Sequence, residues 1–219
     1  MTWEPLQQFV MSAGYMAGAA VLVPGSVLFF DSLPDNFYSI GVALNVVASV
    51  FLILGATADM CGFLRKPLIP KLISSFMLLG GYLFLIGSIL FLPACELSNA
   101  GTWVFRFGSC SYLCGSLLSL YDLYNPNHSL MNAKAINEEE AMESVLKEEI
   151  TDIQIVRRAW TACFIFYAFS SSLFIVGGIL SQFSVPGLAV CWVIGSLCTN
   201  IASTISIIER YTGWSSILE

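Results

Sequence analysis

Apolar residues run in six long blocks along this chain, at about 8–30, 37–58, 72–93, 101–122, 159–183 and 187–208, separated by short groups rich in Pro, Asp, Asn, Lys and Arg. At about 1.5 Å per helical residue, each block can cross a hydrocarbon layer of roughly 30 Å. The pattern predicts an all-α, polytopic integral membrane protein with six transmembrane helices. Pro24 interrupts the first block. The turn at Asp31-Ser32-Leu33-Pro34-Asp35-Asn36 is short and built of turn-forming residues, so its flanking helices are expected to be antiparallel neighbours. The same reasoning divides the chain into a first hairpin over 1–60, a second over 72–123, a polar segment over 124–158 and a third hairpin over 159–211.

The apolar blocks share a motif. Gly87-Ser88-Ile89-Leu90-Phe91-Leu92 corresponds to Gly25-Ser26-Val27-Leu28-Phe29-Phe30 and, more loosely, to Gly177-Gly178-Ile179-Leu180-Ser181-Gln182. Seven positions before each leading Gly stands a small residue, Gly18, Gly80 or Ser170, two helical turns away on the same face. An acid ends the following block (Asp59, Asp122, Glu209), at 34, 35 and 32 residues from the leading Gly. Three such matches predict a tandem repeat of membrane hairpins. In lipid, helices associate through close packing of small residues, which makes Gly14, Gly18, Gly25, Gly80, Gly87, Gly108, Gly177 and Gly195 the expected helix-packing positions. Gly41, Asn45 and Ser49 form a small, polar stripe on the second helix that should face protein, because a bare amide in lipid is costly.

The second hairpin carries one more signal. After its Gly-Ser-Ile-Leu-Phe-Leu helix comes Gly101-Thr102-Trp103-Val104-Phe105-Arg106-Phe107-Gly108-Ser109, an aromatic-rich start to the next helix. This hairpin resembles the YrhK-like membrane domain, a pair of helices with Gly-Ser motifs. The resemblance spans about 50 residues, implies a helical hairpin and implies no particular chemistry. The third hairpin departs from it, with Gly-Gly in place of Gly-Ser and no aromatic entry like Trp103 and Phe105.

Charge fixes an expected orientation. Arg65, Lys66, Lys71, Lys134, Lys147, Arg157 and Arg158 follow the second and fourth blocks and Arg210 follows the sixth, while the other connections carry no Lys or Arg. By the positive-inside rule both termini lie on the cytoplasm-equivalent face. Asp59, Asp122 and Glu209 close helices on that face, where the helix dipole disfavours an acid; with Arg157 and Arg158 they are expected to form a charge rim. Arg106, the one basic residue inside a block, is expected to snorkel to the headgroups or to meet Glu96.

Composition then removes several function classes. The chain has 219 residues, 57% of them hydrophobic and 11% charged, with a formal net charge of −6. Nucleic acid, whose backbone demands clusters of Lys and Arg, is an unsuitable partner. The seven Cys form no Cys-x-x-Cys pair and the single His is His128, so no metal, haem or other cofactor is expected. Cys110 and Cys114 lie one turn apart and read as small apolar core residues with inert thiols. No catalytic triad, nucleotide loop or deep carboxylate pair is present, so no enzyme is expected. The start Met1-Thr2-Trp3-Glu4-Pro5 has no basic region, which argues against a removable signal peptide.

In the polar segment Met142, Val145, Leu146, Ile150, Ile153 and Val156 recur at helical spacing opposite Glu138, Glu139, Glu143, Lys147, Glu148 and Asp152. This predicts an amphipathic acidic helix continuous with the fifth block, with Met142, Leu146, Ile150 and Ile153 as its partner-binding face. Taken together, these features point to a non-catalytic membrane protein that acts as a scaffold or accessory subunit, bound to the lipid bilayer and to other subunits of a membrane complex. The alternative is a small multi-pass transporter or channel.

Overall fold

The computed structural model has six long helices, here α1 (Glu4–Val27), α2 (Asp35–Met60), α3 (Leu68–Leu90), α4 (Ser98–Tyr124), α5 (Glu143–Gln182) and α6 (Leu188–Leu218), with a 3-10 turn at Pro93–Cys95. The structure describes residues 4–30, 33–61, 67–125, 143–182 and 188–218, with side chains placed over 6–30, 33–34, 36–61, 67–125, 157–180 and 189–208, and among the described residues there is no strand. Prolines set several boundaries. Pro34 and Pro67 immediately precede α2 and α3, and Pro93 opens the turn that follows α3. Pro24 does not break α1, which continues to Val27 and ends in a bond from the Leu28 amide to the Pro24 carbonyl. Glu96, at φ 51, turns the chain from the 3-10 segment into α4.

The helices pair as three antiparallel hairpins, α1/α2, α3/α4 and α5/α6. Neighbouring hairpins then meet through α2 on α3 and α4 on α5, and α6 packs back on α1, so the six helices close into a ring. The α6–α1 seam is held by the hydroxyls of Ser26 and Ser196, 2.8 Å apart.

Polarity is distributed as in a membrane bundle. Phe9, Met16, Val47, Leu54, Leu79, Ile86, Ile165, Phe169, Ile194 and Ile201 stand exposed on the outside. Serines fill much of the inside, among them Ser26, Ser49, Ser74, Ser88, Ser109, Ser116, Ser170 and Ser196. Many are satisfied by the helix itself, for Ser49, Ser109, Ser116, Ser171 and Ser196 donate to the carbonyl four residues earlier. That economy lets a hydroxyl sit where no water reaches it.

Five of the helices are long and apolar enough to cross a membrane: α1, α2, α3, α5 and α6. α4 is the exception. It carries Ser109, Ser111, Ser116, Ser119 and Arg106 on its buried face, which lowers its average hydropathy, while Trp103, Phe107, Cys110, Cys114, Leu117 and Tyr121 are exposed. Its polarity points into the bundle and its apolar side points out, as a spanning helix in a ring requires. α5, at 40 residues, is about 60 Å long and continues well beyond any bilayer.

Candidate functional site

Glycines set the register of each hairpin. A Cβ on Gly41 would come within 3.0 Å of the Gly25 carbonyl oxygen and of Leu28, and one on Gly101 would meet the Gly87 carbonyl oxygen at 3.1 Å and Leu90 at 3.2 Å. Likewise Gly25 faces Asn45, Gly87 faces Phe105 and Gly177 faces Trp192. These contacts put Gly25, Gly87 and Gly177 at one level of the ring, with Asn45, Phe105 and Trp192 opposite them. At the Gly25/Gly41 and Gly87/Gly101 crossings the backbones approach this closely because neither helix carries a side chain there, while Gly177 packs on the Trp192 and Cys191 side chains.

The remaining packing glycines fall on the same seams. Gly14 would drive a Cβ to 2.7 Å from the Gly55 nitrogen, and Gly18 to 2.8 Å from Leu52. Gly80 lies under the Tyr112 ring, Gly108 under Phe84, and Gly195 beside Phe174 and the Ser170 carbonyl. Asn45 and Ser49 are buried, with Gly41, in the first hairpin.

From this level two environments extend along the ring. One is an aromatic layer. Phe105 stacks on Phe84 at 4.2 Å and on Trp192 at 5.1 Å, and Phe29, Phe91 and Phe174 close around them at 5.2–6.3 Å between centroids. All three hairpins contribute rings, so the layer fills the middle of the bundle. Trp192 supplies the aromatic that the third hairpin was expected to lack; it stands at the second turn of α6, where an alignment led by the Gly-Ser motif does not reach.

On the side of the layer toward the ends of α2 and α4 lies a cavity of about 380 Å³. Its floor is Leu22, Phe84 and Phe174; above them come Leu52, Tyr112 and Thr199, then Tyr15, Met77 and Tyr167, then Met11, Ile73 and Cys163, and at the outer end Asp59, Ser119, Ser206 and Asp122. Each of the first four triads holds one residue from each hairpin at matching distance from the glycine level, so all three hairpins contribute to the wall. On α4 the wall runs from Tyr112 to Asp122, and Phe84 at the floor packs on Gly108, giving a depth of about 20 Å at 1.5 Å per residue. A volume of 380 Å³ spread over that depth describes a narrow column.

The wall's polar groups are mostly occupied with one another. Ser170 bonds the Gly195 carbonyl at 2.7 Å and the Thr199 hydroxyl at 2.6 Å, Tyr167 meets Ser203 at 2.8 Å, and the Cys163 thiol donates to the Ala202 carbonyl at 3.3 Å. Ser74 of α3 donates to Asp59 Oδ2 of α2 at 2.5 Å, a charge-assisted bond that orients the carboxylate and ties the first hairpin to the second. The Tyr112 hydroxyl, fully enclosed, has no hydrogen-bond partner.

The structure corrects three expectations. Arg106 neither snorkels nor meets Glu96. It is 7% exposed, lies against Gly178, donates to that residue's carbonyl and sits 4.6 Å from the centre of the Trp103 ring, because the glycine pair of α5 leaves room for a guanidinium between α4 and α5. Cys110 and Cys114 are exposed on the outer side of α4, not core residues. The terminal acids do not share one level. Asp59 lies 14 residues beyond Asn45, as Ser119 lies beyond Phe105 and Ser206 beyond Trp192, so Asp122 stands one turn farther out.

Of the expected rim, Asp59 and Asp122 line the cavity, Arg158 is exposed, and Arg157 stacks over the Tyr124 ring at 4.5 Å. The side chains of Glu209, Leu146, Ile150 and Ile153, and Met142 as a whole, lie outside the described residues. Tyr15, Tyr112 and Tyr167 were missed by reasoning on motifs. For Tyr15 and Tyr167 the signal was present only as equal spacing, 10 residues, from Gly25 and Gly177, and Tyr112 stands at a different level, 7 residues beyond Phe105.

Residues 72–122 match the family model of YrhK-like protein, and this span coincides with α3 and α4. No curated protein and no solved structure gives a significant match.

Proposed function

We propose that this chain is a non-catalytic membrane protein that binds a small molecule in the axial cavity and carries it toward the opposite face, built as a tandem repeat of three YrhK-like hairpins. The observation that carries the reading is the cavity itself, a column walled by residues of all three hairpins, closed at one end by aromatic rings and bordered by carboxylates at the other. Its volume falls in the range of roughly 300–1,000 Å³ of small-molecule sites. Non-catalytic action fits the wall, where Ser119, Ser171 and Cys163 donate to helix carbonyls and no histidine is among the described lining residues. The matched seams Gly25/Gly41 and Gly87/Gly101 support the repeat. Orientation follows the Lys and Arg distribution, with both termini and residues 124–158 on the face where the cavity ends.

The test is occupancy. Protein extracted with its native lipids into nanodiscs and released for native mass spectrometry should retain a small-molecule adduct. Thr199→Trp and Ser171→Trp, which fill the column, should lose it while folding normally by circular dichroism. Retention of the same adduct by both folded variants places the ligand elsewhere.

A scaffold role is the second reading, and the length of α5 favours it. From Glu143 to Arg157 the helix extends about 20 Å before the membrane-spanning portion, a rigid arm suited to a partner subunit. Leu146→Ser with Ile150→Ser should release co-purifying protein from a mild-detergent extract without altering the melting of the bundle.

A further inference from the structure

Resting on the reading of the axial cavity as a site that carries a small molecule, we infer that a pocket on the opposite face is the second mouth of the same path and that Phe91 is the gate on that side. The pocket lies between the start of α2 and the link from α3 to α4, with Tyr38, Ser39, Phe91, Glu96 and Ser98 in its wall and a volume of about 640 Å³. The ring layer separates it from the axial cavity. Phe84 and Phe174 border the cavity, whereas Phe91 is the one ring of the layer among the described residues of the pocket wall.

Position in the chain selects Phe91 as the moving part. Phe84, Phe105, Phe174 and Trp192 stand inside α3, α4, α5 and α6, where helix hydrogen bonds fix their backbones. Phe91 is the first residue after α3 and leads into the 3-10 turn Pro93–Cys95, which buries none of its residues. The Tyr38 hydroxyl donates to the Phe91 carbonyl at 3.2 Å, a latch across the mouth. Glu96 holds a left-handed backbone, φ 51 and ψ 24, which a non-glycine residue adopts only at a cost. A link held to α2 through a hydroxyl and strained at its far end can swing out while the helices stay in place.

The group beneath the ring supports an opening. Ser88, one turn earlier on the same face of α3, is 1% exposed and its hydroxyl has no hydrogen-bond partner. A bare buried hydroxyl is costly, and withdrawal of Phe91 supplies it with water or with the polar part of a passing molecule. Its counterpart in the first hairpin, Ser26, is bonded to Ser196 and needs no such supply.

The experiment traps the open gate with a thiol. Ser88→Cys is nearly isosteric and breaks no hydrogen bond. In sealed vesicles of uniform orientation, a small, permanently charged methanethiosulfonate is added on the Cys95 face, and modification of each cysteine is followed by peptide mass. Adding Tyr38→Phe is expected to speed modification at position 88 about three- to tenfold through loss of the latch. Adding Glu96→Gly should slow it at least about threefold by relaxing the closed link. Cys163, in the axial cavity beyond Phe84 and Phe174, is the control and should keep its rate. Equal rates at position 88 in the three backgrounds, or an equal acceleration at Cys163, overturn the gate. The cavity reading is judged separately, because wild-type protein without a small-molecule adduct overturns it whatever the rates at position 88.

Discussion

Phe105 of α4 and Trp192 of α6 stack with their ring centroids 5.1 Å apart and their planes within 25°, although one belongs to the second hairpin and the other to the third. The Trp192 ring lies against Gly177, and Gly87 lies against the Phe105 backbone, so the two rings meet in the middle of the bundle. Phe105→Ala removes a ring that touches Phe84, Phe91, Phe174 and Trp192. A loss of about 3–5 kcal/mol is expected, read as a lower melting temperature in detergent. In reconstituted vesicles the same variant should leak a small polar dye faster than wild type. Unchanged melting and tightness together would show that the ring layer does not seal the middle of the bundle.

Glycine substitutions should rank by what the new Cβ meets. Gly14→Ala places it 2.7 Å from backbone nitrogen of Gly55, and backbone cannot step aside, so about 1–3 kcal/mol is expected to be lost. Gly115→Ala meets the mobile end of Met77 at 3.2 Å and should cost well under 1 kcal/mol, roughly the tolerance of a volume-conserving core change. Gly87→Leu and Gly25→Leu both force the seams apart and should melt below either. Thermal unfolding monitored by circular dichroism orders the four variants.

Arg106 offers a sign test. Its Nε has no hydrogen-bond partner, and the Gly178 carbonyl it contacts belongs to a helix interior that can satisfy it without the guanidinium. Replacing a buried charge by an apolar side chain of similar reach is often neutral or stabilising. Arg106→Met should therefore melt at or above wild type, while Arg106→Ala, which leaves a void, should melt below it. A marked loss for Met as well as Ala would mean that the charge itself holds α4 to α5.

Cysteine accessibility tests the six-span arrangement. Cys61 follows α2 and is exposed, whereas Cys95 sits in the turn between α3 and α4 at the other end of the helices. In sealed vesicles of uniform orientation, an impermeant maleimide should label one of them from outside and the other only after permeabilisation. Cys110 and Cys114, exposed on the outer side of α4, should react slowly in both conditions because a charged, impermeant reagent does not enter hydrocarbon. Equal labelling of Cys61 and Cys95 from one side contradicts the arrangement.

Apolar blocks and proline punctuation were sufficient to read the number of helices and their pairing, because lipid imposes a single length and forces each backbone to satisfy itself. The glycine seams were legible for the same reason. Less legible was anything that depends on two hairpins at once. Arg106 was assigned to the headgroups since nothing in its own helix shows that Gly177-Gly178 on another helix leaves it a berth. Asp59 and Asp122 were paired as equivalents because both end a block, whereas the seams place Asp59 level with Ser119. Trp192 was overlooked because its counterpart in the first hairpin is Asn45, so no shared letter marks the position. The cavity combines all of these failures, being a property of the closed ring.

That closure has a consequence for biosynthesis. The Ser26–Ser196 contact joins residues 170 positions apart, so α1 must wait in the bilayer until α6 has left the ribosome. During that interval the serine-lined edges of the first and second hairpins face lipid or the insertion machinery, and they are the surfaces by which an unfinished chain can be distinguished from a finished one. A truncation before α6 would leave that edge permanently open, and the cell's membrane quality control would meet it as a stripe of hydroxyls where only hydrocarbon belongs.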